Sequence, residues 1–152
     1  MNKHTPKHEL AAYDSDFHLW SQTQAAAIRE GRLAEIDLEN VAEEIESLGL
    51  SDKRAIKSRL EVLLLHLLKW QAQPEKRKKG WENSIEEARQ AIIDLIGDSP
   101  SLKAYPALVL PQSYARARKK AARETGLAAE RFPTDCALPL SDILDEEFLP
   151  RE

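Results

Sequence analysis

Along this chain apolar residues return every three or four positions from about Tyr13 onward, and no pair of stretches alternates in the way two half-buried strands would. The densest run is LEVLLLHLLKW, Leu60 to Trp70, which is apolar on nearly every side of a helix. A helix of that kind has to be surrounded by others. The run lies within Ser51 to Gln73, a stretch free of proline and glycine that predicts a central helix. Ser51 reads as its N-cap and Asp52 as a first-turn anion suited to the macrodipole. Ile56, Leu60, Leu63, Leu67 and Trp70 form its main stripe, with Arg59, His66 and Gln73 along one edge, and Pro74 ends it.

Before the central helix the same period predicts two more. One is capped by Asp14 or Ser15 and stops at Gly31, with Phe17, Trp20, Ala27 and Ile28 turned inward. The next ends at Gly49, read as a left-handed C′ residue, and buries Leu38, Val41, Ile45 and Leu48. After the central helix, a further helix starts near Asn83 or Ser84 and ends at Gly97, with Ile85, Ala88, Ile92 and Ile96 on one face. Pro106 and Pro111 then predict a short helix, a break, and a longer helix from about Pro111 to Thr125, stopped by Gly126. Three prolines in the last segment allow one short helix near Ser141 to Glu147, with Leu140, Ile143, Leu144 and Phe148 strapping the tail onto the body. Residues 1 to 12 lack periodicity and are expected to form a flexible tail. The fold class is therefore all-α: a compact bundle of about five or six helices around the Ser51 to Gln73 helix, a single domain over residues 13–152, with an irregular C-terminal strap.

Composition supports this picture. Apolar residues make up 42% and charged residues 32% of 152, the balance of a globular protein with a charged surface. Cys136 is the single cysteine, so neither an internal disulfide nor a cysteine zinc cage can form within one chain, which suits a reducing compartment. With no apolar run long enough for a signal peptide or a membrane span, the expected location is the cytoplasm.

The stretches YDSDFHLWSQTQAAAIREGRLAEIDLENVAEEIESLG, SRLEVLLLHLLKWQAQPEKR, GWENSI, ARETGL and FPTDCALPLSDILDEEFLP together cover nearly the whole chain. In combination they resemble the bacterial Domain of Unknown Function 29 family. The resemblance implies an all-helical cytoplasmic protein and a continuous helix leading into ARETGL, against the break that Pro106 and Pro111 predict. It supplies no activity and no catalytic residues.

Candidate chemistry therefore rests on spacing. Asp37, Asn40 and Glu44 share a boundary face of the second helix, and an antiparallel turn at Gly49 would bring Asp37 within about a turn of His66. His18 could add a second imidazole. Carboxylates and imidazoles between bundle helices are the donors of di-metal sites, but the Glu-x-x-His spacing of such sites is missing. The plainer reading is a buried His66 hydrogen-bonded to Asp37. There is no nucleophile elbow, P-loop or dinucleotide fingerprint, and Cys136 has no histidine near it in sequence. The balance leans away from an enzyme, and no cofactor is implied.

Binding is the other class. The charge is segregated, −6 over residues 1–50, +7 over 51–125 and −5 over 126–152. Lys76, Arg77, Lys78 and Lys79, between Trp70 and Trp81, could meet phosphates while the indoles stack on bases, and Arg116, Arg118, Lys119 and Lys120 could extend that surface. The ordinary alternative makes the tryptophans core residues and the lysines a solvated loop. The sequence reveals no biochemical activity, and the expected role is a structural or protein-interaction module, in which the apolar surplus of the central helix and the C-terminal strap suit a partner helix or a second copy.

Overall fold

The computed structural model describes residues 13–151. The expected tail, with His4 and His8, lies outside the described residues. Five α-helices are set out in order: α1 Phe17–Arg29, α2 Leu38–Ala72, α3 Lys79–Asp98, α4 Tyr105–Thr125 and α5 Leu140–Ile143. Residues 13–15 are also helical, single 3-10 turns occupy several connections, and there is no strand among the described residues. The chain divides into two compact units, Met1–Leu50 and Ser51–Glu152.

In the second unit the sequence pattern translates directly into a core. Ile56, Leu60, Leu63, Leu64 and Leu67 of α2 pack with Ile85, Ala88 and Ile92 of α3 and with Tyr114, Ala117 and Ala121 of α4. Phe132 and Ile143 of the C-terminal segment complete the cluster. Every position of the expected main stripe, Ile56 through Trp70, is buried.

Side chains from α3 and α4 hold the C-terminal segment by its carbonyls. Arg89, only 2% exposed, donates from Nε to the Ile143 carbonyl at 2.8 Å and from Nη2 to that of Asp142 at 3.4 Å. These are carbonyls at the C-terminal end of α5, where a cation also suits the helix dipole. Burial pushes the guanidinium below its ordinary pKa, with Asp145 opposing the shift. Tyr114 Oη donates to the Pro133 carbonyl at 2.6 Å, and Arg118 to those of Phe132 and Ala129 at 3.1 and 2.8 Å. The expected apolar strap is present, with Ile143 fully buried and Leu140, Leu144 and Phe148 half-buried. Its polar anchoring by three side chains was not foreseen.

In the first unit α1 is capped by Asp16 rather than by the expected Asp14 or Ser15, and the Asp16 Oδ1 accepts from the Leu19 N–H at 3.0 Å. Gly31, at φ +68°, turns the chain at its end. Buried Gln24 then organises the connection: its Nε2 donates to the Glu35 carbonyl at 3.1 Å and its Oε1 accepts from the Asp37 N–H at 2.7 Å. Arg32 is held between Glu30 and Glu35. Tyr13, Phe17 and Trp20 form an aromatic group, with Tyr13 and Trp20 edge-to-face at 4.7 Å.

Two expectations fail here for physical reasons. Gly49 does not end a helix: α2 runs unbroken from Leu38 to Ala72, and Gly49 has no positive φ. A glycine in a helix interior costs about 1 kcal/mol relative to alanine, which the residues on either side can sustain when no proline follows. The stripe assigned to the turns before Gly49 is also not buried. Leu38, Ile45 and Leu48 are 72%, 63% and 71% exposed, and Val41 is half-buried.

A third correction concerns the prolines. α4 is continuous from Tyr105 to Thr125, as the family resemblance implied, with Pro106 in its first turn and Pro111 inside it. Pro111 removes the N–H that would have met the Ala107 carbonyl, but Ala107, Leu108, Pro111 and Gln112 all lie on an exposed face. Water can solvate that carbonyl, while Ser113, Tyr114, Ala117 and Ala121 pack on the other side. Gly126 stops the helix at φ +72°, as its position predicted.

Candidate functional site

Each residue of the expected polar site has a local structural partner. Asp37 caps α2: its Oδ1 accepts from the Asn40 N–H at 3.3 Å and its Oδ2 from Asn40 Nδ2 at 2.7 Å. Glu44 Oε1 accepts from the Tyr13 hydroxyl at 2.7 Å. That bond, reinforced by burial and by nearby carboxylates, pushes the Tyr13 phenol up to about 12. His66, in the second unit, bonds through Nδ1 to the Val62 carbonyl one turn earlier at 2.8 Å, the ring N–H donating. His18 is exposed on α1. The antiparallel turn on which an Asp37 to His66 pairing depended does not exist, because α2 passes straight through Gly49. Among the described residues no group of three or more His, Cys, Asp or Glu side chains is placed to hold a metal ion.

The basic loop is largely engaged with its own chain. Arg77 lies over the Trp70 ring at 4.9 Å and donates from Nε to the Trp70 carbonyl at 2.8 Å, near the C-terminal end of α2. Trp81 is buried, with the Lys69 and Lys78 ammonium groups 5.0 and 5.7 Å from its ring centre. Lys69 also pairs with Glu124 at 3.0 Å, and Lys79 with Glu82 at 2.9 Å, which raises the Lys79 pKa. Cations near Trp70 and Trp81 occupy the neighbourhood a stacking base would need. Lys76 is exposed. On α4, Arg116, Lys119 and Lys120 are exposed while Arg118 is committed to the C-terminal segment.

What the structure builds instead lies between α1 and the first turns of α2, wholly within the first unit. Phe17 and Ile28 from α1 face Val41, Ile45 and Leu48 from α2 across a groove of about 410 Å³, with Trp20 contributing to its wall. The lining is mostly hydrocarbon; Ser21, Gln24 and Glu44 are its polar side chains, and it contains no cation. Trp20 Nε1 is buried without a hydrogen-bond partner among the described residues. Of the nine exposed large hydrophobic residues among those described, Leu108 is the sole one outside residues 17–50. The sequence reading placed these side chains in a core because their period is that of a buried stripe. A period shows which face is apolar, not what covers it.

The second unit also has cavities. One of about 380 Å³ lies among Leu68, Gln71, Pro74, Arg131, Phe132 and Pro133. Another of about 290 Å³ is lined by Lys79, Glu82, Glu86, Arg89 and Glu146. Neither brings a nucleophile to a base. Cys136 is half-buried, its Sγ 3.5 Å from the Leu138 carbonyl, and burial pushes its thiol up, away from the reactive thiolate.

Helices packed on a leucine-rich core, with no strand among the described residues, define an all-helical protein. The chain belongs to the family described as Domain of unknown function DUF29, whose profile matches residues 12–149. No curated protein and no solved structure matches it. No helix among the described residues is long and apolar enough to cross a membrane.

Proposed function

We propose that this chain is a protein-interaction module and that the groove between α1 and the start of α2 is its docking element. The observation that carries the reading is the set of exposed large hydrophobic side chains between Phe17 and Leu50, of which Phe17, Ile28, Ile45 and Leu48 line one concave surface. Contiguous exposed apolar side chains rimmed by polar ones often mark an interaction site. The bonds that hold Gln24, Asp37 and Glu44 fix the groove walls, so the surface is built before a partner arrives. We also propose a cytoplasmic location, where a lone half-buried thiol such as Cys136 would stay reduced.

A photo-cross-linking side chain at Ile45 of the full-length protein tests this, with Leu108, the exposed hydrophobic of the second unit, as the control position. Discrete adducts from position 45 that disappear when Leu48→Asp is added are the expected result. Adducts no stronger than those from position 108 would refute it.

A further inference from the structure

We infer that the groove of the first unit receives a basic amphipathic helix from another protein; this rests on the interaction-module reading and specifies the partner's chemistry. Charge is the first argument. Residues 13–50 carry nine carboxylates and two arginines, a net charge of −7. Glu44 stands in the lining itself, and no lysine, arginine or histidine does. A guest with lysines or arginines beside its apolar face is therefore drawn in, and an acidic one is repelled.

Groove chemistry argues for a helix. An extended peptide needs a row of backbone donors and acceptors, and the described residues contain no strand to offer one. A helical guest satisfies its own backbone and presents only side chains, which suits walls of hydrocarbon. Val41 and Leu48 are seven residues apart on one face, about 10 Å along the axis, the spacing of i and i+7 anchors on a guest.

A second copy of this chain fits less well on both counts. Its first unit would oppose nine carboxylates to nine, and its second unit offers Leu108 as the sole exposed large hydrophobic residue among those described. It can match the groove's charge or its apolar surface, but not both.

The test uses the full-length protein and three fluorescent helical peptides, read by anisotropy. One has leucines at i, i+3, i+4 and i+7 with lysines elsewhere; the second replaces its lysines with glutamates; the third keeps the lysines and replaces the leucines with serines. The lysine and leucine peptide should bind at least about tenfold more tightly than either other. Ile45→Asp should weaken that binding by at least about tenfold, although it makes the protein more negative. That opposition is the value of the variant, because attraction to the acidic surface alone would grow. Ile45 is largely exposed, so the variant should retain its circular dichroism.

Tighter binding of the lysine peptide by Ile45→Asp overturns the inference in favour of unspecific charge attraction. Equal or tighter binding of the glutamate and leucine peptide overturns the basic partner but leaves the docking groove standing. Binding of none of the three overturns the inference and, with an absence of cross-links from position 45, the interaction module too. A dimer in sedimentation that Ile45→Asp dissociates would assign the groove to a second copy. A gain of more than about tenfold on deleting residues 2–12 would assign it to the chain's own N-terminus.

Discussion

Ile45 and Ile56 lie on the same helix, 11 residues apart, one 63% exposed and the other fully buried. Replacing each with alanine removes the same three carbons. At Ile56 those carbons are wholly out of water, and at about 0.8 kcal/mol for each buried carbon the transfer loss is about 2.4 kcal/mol. The cavity left among Leu60, Leu63 and their neighbours adds to this, so the total falls within the about 2 to 5 kcal/mol typical of such truncations. At Ile45 about a third of the side chain is covered, giving about 0.9 kcal/mol, and an open groove leaves no cavity. Alanine's better helix propensity offsets about 0.4 kcal/mol at either position, leaving a net loss near 0.5 kcal/mol at Ile45 and the difference between the two unchanged. Urea unfolding followed by circular dichroism should separate the two variants by at least about 1.5 kcal/mol. Equal losses would refute the reasoning, because they would mean that Ile45 is covered in solution.

Pro111→Ala should stabilise the protein by about 1 to 3 kcal/mol in the same assay, since it restores a helix-interior hydrogen bond on an exposed face; a destabilised variant would show that the proline is needed there. Arg89→Met should lower stability by about 2 to 3 kcal/mol, because it strands the Asp142 and Ile143 carbonyls. It should also speed amide hydrogen exchange after residue 139 more than elsewhere, and uniform exchange would contradict its role as an anchor. Tyr13 should ionise near pH 12 rather than at its ordinary 10.0, read as the ultraviolet difference between the protein and Tyr13→Phe. Since its folded pKa is raised, the stability it contributes is complete below pH 10 and fades as pH rises through about 12. Titration near pH 10 would mean that the bond to Glu44 is not kept in solution.

The second unit was legible in the sequence because its signals agree. Ile56, Leu60, Leu63, Leu67 and Trp70 combine helical spacing with a run so apolar that only burial satisfies it, and Gly126 stands where a left-handed cap is needed. Arg89 was missed, although it falls between Ile85 and Ile92 on their own stripe, and a charge at a core position signals a buried carbonyl partner. Pro111 was misread as a break because its cost was judged without knowing which face of the helix meets water. Gly49 was read as a cap because a glycine after an apolar stripe looks the same whether the chain turns or continues. That error carried the candidate site with it, since the expected meeting of Asp37 with His66 needed the turn. The groove was present as two apolar stripes, but a stripe does not disclose whether a neighbour covers it.

The unbroken course of α2 also bears on how readily the groove forms. Starting a helix is the unfavourable step, with a nucleation factor of about 10⁻³, whereas each further residue joins at close to even odds or better. The turns from Leu38 to Leu50 need no nucleus of their own, because they continue a helix already fixed by the Ile56 to Trp70 core. Propagation from that core, assisted at the far end by the Asp37 cap, can hold one wall of the groove in place with few contacts of its own. A partner would meet a prefolded surface, and most of the ordering entropy of association would fall on the guest.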